Sequence, residues 1–281
     1  MSWVAVAKKD FRDAIQSRAL WSLVAVFVVL ATLLSYAYTE FPTTVAETDE
    51  ATVGGLVFFM TSIVGLFVSL TAIVICYKSI AGEREIGSIK LLLSLPHTRG
   101  DVFFGKLVGR SAVLVAALAV GLLVGYGVGF ALLGTVELVP VLIFLVMTLV
   151  FSVAYVGIVV SISGSTGSTT RATTVAIGFF LLFELLWDAV PLLIVYVVNG
   201  LSLPSTMPDW VYLVTQLPPS SSYLLSLIAL MPDIADSVGT GSGAEEVDVF
   251  YATPEVGFVI LLFWLVVPLV VGYRRFNRAD L

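Results

Sequence analysis

The sequence predicts an all-α integral membrane protein: six transmembrane helices, an N-terminal interfacial helix, a cytoplasmic elbow and an outer re-entrant segment. Three observations carry this. The 281 residues are 59% hydrophobic and 12% charged, with a mean hydropathy of +1.05. A soluble domain of this length cannot keep that much apolar surface from water. Six apolar runs, at 20–38, 53–77, 113–133, 139–162, 174–198 and 256–272, are each long enough to cross a bilayer. Threading them with the N-terminus in the cytoplasm puts all 14 Lys and Arg residues on inner segments, as the positive-inside rule requires.

Residues 1–18 form an amphipathic helix, because Trp3, Ala7, Phe11 and Ile15 recur every four residues. Lys8, Lys9 and Arg12 lie mainly off that stripe. A basic helix with an aromatic stripe suits the headgroup plane; packing on a partner is the alternative. A cleaved signal peptide is not expected, since the apolar run that follows is long and no small-residue cleavage site ends it. Trp21, Tyr36 and Tyr38 flank the first span at the depth aromatic rings prefer. A short acidic loop with Pro42 leads to the second span, and a turn carrying Glu137 joins the third to the fourth. The turn SGSTGSTTR, residues 163–171, joins the fourth to the fifth.

The segment 199–255 is too long for a plain connection. Its apolar pieces, 210–217 and 223–230, are too short to span, so re-entrant or interfacial helices are expected on the outer side. A disordered exterior loop fits the stretch DSVGTGSGAEEVD, residues 236–248, but not those pieces. The outer segments hold 12 of the 20 acids and no Lys or Arg, which suits a salty exterior. Both termini are expected in the cytoplasm, since an odd number of spans would strand Arg274, Arg275 and Arg278 outside.

Composition narrows the chemistry. One cysteine, Cys76, rules out an intrachain disulfide or thiolate cluster, and with one histidine, His97, no ordinary zinc site is expected. A formal charge of −6 gives no reason to expect a nucleic-acid partner. The stretch GDVFFGKL, residues 100–107, nearly spells a phosphate-binding loop. Leu107 replaces the Mg²⁺-binding hydroxyl, however, and bulky Val102, Phe103 and Phe104 fill the loop. No cofactor is expected on this chain.

The interval 78–112 holds Lys78, Arg84, Lys90, Arg99, Lys106 and Arg110 between two apolar runs. A helix is expected from Arg84 to Leu95, ended by Pro96, with Ile86, Ile89 and Leu93 along one side. A second should start near Gly100 and Asp101 and feed the third span. On pattern alone, a helix docked in a partner's groove and a charged loop on lipid headgroups fit equally well. Glu184 and Asp188 lie four apart in the fifth span and share one face of a regular helix. Glu184 is about 15 Å from the inner end, near mid-bilayer. Such acids line a path, bind a cation, titrate, or hydrogen-bond to a neighbouring span as structural groups. Gly121, Gly125 and Gly129 repeat every four residues, as close helix packing requires.

The run Gly82-Glu83-Arg84-Glu85-Ile86-Gly87-Ser88, then Leu92-Leu93-Ser94-Leu95-Pro96-His97-Thr98-Arg99, then Gly105-Lys106, resembles the segment after the second span of ABC-2 type transporter permeases. It most resembles the branch that includes the permease of nitrous oxide reductase maturation. The resemblance covers nearly the whole chain. It implies a transmembrane subunit in the cell membrane without its own ATPase site, working as two copies or with a paralogue. It makes the elbow a coupling helix, with Glu83, Arg84, Glu85 and Gly87 at the contact with a separate ATPase subunit that binds the ATP. Glu184 and Asp188 are then candidates for the translocation path. Two rivals remain: an ion-coupled secondary transporter using Glu184 and Asp188, and an intramembrane enzyme. His97 in the elbow rather than a span argues against the second.

Overall fold

The computed structural model describes residues 3–16, 18–45, 51–94, 98–204, 206–237, 251 and 253–280, and every regular element among them is helical. In chain order these are α1 (Trp3–Ile15), α2 (Arg18–Glu40), α3 (Pro42–Val45), α4 (Val53–Cys76), α5 (Ala81–Glu85) and α6 (Ser88–Ser94). Then come α7 (Arg99–Leu133), α8 (Leu138–Gly164) and α9 (Thr169–Phe180). A π-helical turn (Leu181–Leu186) precedes α10 (Ala189–Val198), α11 (Trp210–Thr215), α12 (Pro219–Leu230), α13 (Pro232–Ser237) and α14 (Val256–Asn277). Six of the described helical stretches are long and apolar enough to cross a membrane: α2, α4, α7, α8, α9 with its π turn, and α14.

The spine is α7. Its 35 residues rise about 52 Å at 1.5 Å each, against a hydrocarbon layer of about 30 Å. The expected span began at 113, where the sequence turns apolar. The helix expected near Gly100 and Asp101 starts at Arg99, opened by a capping box, and continues into that span without a break as far as Leu133. The Thr98 side chain accepts from the Asp101 amide while the Asp101 carboxylate accepts from the Thr98 amide. That exchange also holds the Asp101 carboxyl below its ordinary range. Gly134, at φ +70°, ends the helix in the left-handed region. Residues 99–112 therefore form a rigid extension of the span.

Helix α2 lies along α7 with little between the backbones. A Cβ on Gly121 would sit 2.5 Å from Phe27 Cβ, one on Gly125 2.5 Å from Ala31 Cβ, and one on Gly129 2.6 Å from Leu56 Cδ2. Ser35 Oγ donates to the Gly125 carbonyl at 2.7 Å. The same four-residue lane continues downward as Gly105 and Gly109, and there α1 packs, with Val6 and Asp10 against the two glycines. The face of α1 that meets α7 is not centred on the aromatic stripe. Val6 and Ala7 are the buried residues of α1, while Trp3 and Ile15 are exposed and Phe11 is half-buried. The bare lane on α7 selects which face of α1 turns inward.

Helix α12 is buried among α4, α8 and α14. Tyr223 stacks on Phe151 at 4.9 Å and its hydroxyl lies 2.7 Å from Thr148 Oγ1. Those partners are 10 and 13 residues into α8, about 15–20 Å along it. The two short apolar pieces of the sequence are thus α11 and α12, and α12 reaches deep beside α8. Most of the stretch 236–248 lies outside the described residues, as do Pro96 and His97.

The fifth span also departs from one regular helix over 174–198. It runs as α9, widens into the π turn around Glu184, passes a turn at Trp187 and Asp188, and resumes as α10. Single π turns inside helices are frequent at functional sites.

Candidate functional site

The elbow starts where α4 stops. Ser163, near the C-terminus of α8, pins that turn with one hydroxyl. Its Oγ accepts from the amides of Ile80 and Ala81 at 3.1 and 3.0 Å and donates to the Tyr77 carbonyl at 2.8 Å. The end of α4 and the start of α5 are thereby satisfied by a third helix.

The expected helix from Arg84 to Leu95 is two pieces. Gly87 adopts φ +74°, a backbone state that costs other L-residues about 1–2 kcal/mol, so α5 stops and α6 starts on a new axis. Ile86, at the break, is 78% exposed, and Lys90 beyond it is exposed too. Ile89 turns inward and is buried.

The three charged residues of the motif each reach a different helix. Glu83 Oε1 accepts from Lys106 Nζ of α7 at 2.7 Å. Arg84 Nη1 donates to the Gly164 carbonyl at the end of α8, at 3.2 Å. Glu85 accepts from the Thr169 amide at 2.8 Å, so an anion meets the positive end of α9. The side-chain and backbone hydrogen bonds of Thr169 hold the Glu85 carboxyl below its ordinary range. A cavity of about 530 Å³ opens beside this corner, bordered by Lys78, Gly82, Glu85 and Ile86.

Lys106 is the centre of an ion cluster that sequence reasoning missed. Its side chain is only 5% exposed, and besides Glu83 it lies 3.8 Å from Asp10 Oδ1 of α1. Arg110, one turn further along α7, places Nε 2.8 Å from Asp10 Oδ2 and donates through Nη2 to Oδ1 at 3.2 Å. The Nε contact has an ion-pair distance without hydrogen-bond alignment. The cluster thus binds α1, α5 and α7 together. The available signal was the spacing Gly105-Lys106…Gly109-Arg110, a bare lane beside a cationic one, and Asp10 as the acid of a basic helix. Residues 100–107 lie within α7, so beyond its first turn their amides are committed to helix bonds.

Arg99 closes the corner from the other side. Its Nη1 donates to the carbonyls of Asn277 and Ala279 at 2.7 Å each, capping α14.

Glu184 is half-buried and turned to the bundle, where Ser69 Oγ of α4 donates to Oε1 at 3.4 Å. The hydroxyls of Tyr155 and Ser220 face the same carboxylate, although Tyr155 Oη closes no bond of good geometry. Asp188 is exposed. A turn at Trp187 and Asp188 separates Asp188 from the π segment that carries Glu184. No group of three or more His, Cys, Asp or Glu suited to a metal occurs among the described residues.

A family model described as "ABC-2 family transporter protein" matches residues 4–281 of this chain. The "Probable ABC transporter permease protein NosY" of Stutzerimonas stutzeri is 26% identical over 286 residues, which is 97% of this chain and 97% of its own length. The protein of the same description from Pseudomonas aeruginosa is 26% identical over 146 residues, 49% of each chain.

Proposed function

The chain belongs to the ABC-2 family of transporter proteins, and from that premise we propose that it is the membrane lever of an exporter driven by a separate ATPase. Membership makes it a multi-pass transporter membrane subunit and implies an ABC ATPase partner in general terms. The finer reading places both termini and the elbow in the cytoplasm of a cell-membrane protein, with two copies, or one copy and a paralogue, enclosing the path. ATP is bound by the partner, and this chain carries no cofactor.

One observation supports the lever most. Glu83, Arg84 and Glu85 are tied to α7, α8 and the first turn of α9, while the residue at the break, Ile86, is almost free of the protein. An elbow fixed to three helices and bare at its tip is shaped to receive a push and pass it on. In this reading Ile86 and Lys90 enter a groove of the ATPase and the cavity behind Ile86 accepts a partner side chain. Gly87 sets the bend, and Glu83, Arg84 and Glu85 carry the load. Glu184 lines the path at the π turn, and Asp188 faces lipid or the second copy.

Co-expression with an ABC ATPase tests the docking. Ile86→Asp should abolish co-purification of the ATPase while the chain keeps its unfolding midpoint, and Glu83→Lys with Glu85→Lys should abolish both docking and part of the stability. Undiminished docking in Ile86→Asp would overturn the assignment of the tip. Vigorous ATP hydrolysis by the purified chain alone would overturn the division of labour.

A further inference from the structure

A lateral groove between α8, α9 and α14 lies apart from the elbow corner. Its volume is about 510 Å³, within the range of about 300–1,000 Å³ of ligand sites. Two cations stand at one end, Arg171 in the first turn of α9 and Arg275 in the last turn of α14. Neither forms an ion pair with a carboxylate among the described residues. Glu85, the acid on the same end of α9, borders the other cavity and not this one.

Ser165 and Thr166 also line the groove, and most of the remaining wall is apolar. From Arg275 the wall runs along Val271 and Pro268 to Trp264, and from Arg171 along Val175 to Phe179. Eleven residues separate Arg275 from Trp264, about 16 Å of helix, close to half of a hydrocarbon layer about 30 Å thick. Pro268 contributes to the hollow, since it cannot donate to the Trp264 carbonyl one turn before it. One polar group is unexplained. Ser161 lines the groove and is 5% exposed, yet its Oγ has no hydrogen-bond partner. That oxygen is buried against Gly272 and does not open to the groove.

We propose that this groove holds one anionic phospholipid, its phosphate on Arg171 and Arg275 and an acyl chain along the Val271 and Phe179 wall. The charge is complementary, basic pockets between spans on the inner side take anionic headgroups, and the length matches a single leaflet. A water-soluble anion would leave the apolar wall unused. The lipid would wedge α9 against α14 next to the helix end that Glu85 holds, so its presence would stiffen the frame on which the elbow bears.

The test uses the full chain in detergent, reloaded with phosphatidylglycerol or phosphatidylcholine, with retained lipid measured by native mass spectrometry. Phosphatidylglycerol should be retained at least tenfold better than phosphatidylcholine. Arg171→Gln with Arg275→Gln should weaken its retention roughly 30-fold, which is about 2 kcal/mol at 1.4 kcal/mol per tenfold. Val271→Trp, which fills the groove and keeps both arginines, should expel both lipids. This variant decides the matter if the arginine pair proves necessary for folding. Equal retention of the two lipids, retention unchanged by either variant, or displacement by millimolar inorganic phosphate would overturn the proposal. The last outcome would make the site one for a free anion.

Discussion

Replacing Lys106 by Met removes the only cation that Glu83 contacts among the described residues, at 2.7 Å, and one of two on Asp10, at 3.8 Å. The side chains of Lys106, Asp10 and Glu83 are 5%, 13% and 31% exposed. Breaking a fully buried pair one-sidedly costs about 3–5 kcal/mol. Glu83 keeps contact with water and Asp10 keeps Arg110, so the expected loss is smaller, about 2–3 kcal/mol. The sharper expectation is the cycle. Glu83→Gln alone should cost about 1–2 kcal/mol, because Lys106 is then left with a distant partner. The double variant should cost no more than Lys106→Met alone, since no uncompensated charge is left between α5 and α7. The coupling energy is then about 1–2 kcal/mol, well above the 0.3–0.5 kcal/mol scatter of independent sites. Reversible unfolding in mixed detergent and SDS micelles measures all four proteins. Additive single effects, or a Lys106→Met cost under about 0.5 kcal/mol, would refute the claim that this contact joins elbow to spine.

Two further expectations concern the frame around that contact. Gly125→Leu should destabilise by at least about 2 kcal/mol, since its Cβ would sit 2.5 Å from Ala31 Cβ and 2.9 Å from Ala31 backbone carbon, forcing α2 and α7 apart. Gly127→Ala, two residues away with nothing within 4 Å, should be neutral or stabilising by up to about 1 kcal/mol through helix propensity, and the same unfolding assay separates them. Ser163→Ala should cost about 1–3 kcal/mol, because two buried amides lose their acceptor and the Tyr77 carbonyl its donor. Hydrogen exchange of Ile80 and Ala81 should accelerate in that variant while exchange within α2 does not.

Much of this architecture is legible in the sequence because lipid imposes one rule on every span: apolar residues must run for a bilayer's thickness. That rule locates six spans and separates basic ends from acidic ones. It is silent where a helix continues past the lipid, so it bounds the third span at 113, whereas the helix expected from Gly100 and Asp101 joins that span without a break from Arg99. The stripe of Trp3, Ala7, Phe11 and Ile15 reports apolarity but not which face of α1 meets protein, since that face is set by the bare lane on α7, 100 residues away. Glu83, Arg84 and Glu85 were singled out by resemblance. What they touch depends on Lys106, Gly164 and Thr169, whose juxtaposition is set by tertiary packing and leaves no periodicity. The break at Gly87 carried a signal, since glycine after a short charged helix is a common left-handed stop.

The placement of charge also decides how force can travel. A flexible elbow would dissipate movement of its tip in its own side chains. Here each of its three charged residues ends on a group near a helix terminus or on the rigid extension of α7. The contacts are short, 2.7 to 3.2 Å, and the α7 partner is itself held to α1 through Asp10. Displacing Ile86 therefore shifts the lower ends of α7, α8 and α9 together or breaks three short charged hydrogen bonds, two of them part-buried. Above, α7 is locked to α2 by glycine contacts and joined to α8 by the turn at 134–137, while α9 passes into the π turn at Glu184. In the proposed lever, a push at the base is expected to emerge as motion at that turn. If the path runs there, cysteine cross-linking of Ser69 to Glu184 should arrest transport while leaving ATPase docking intact.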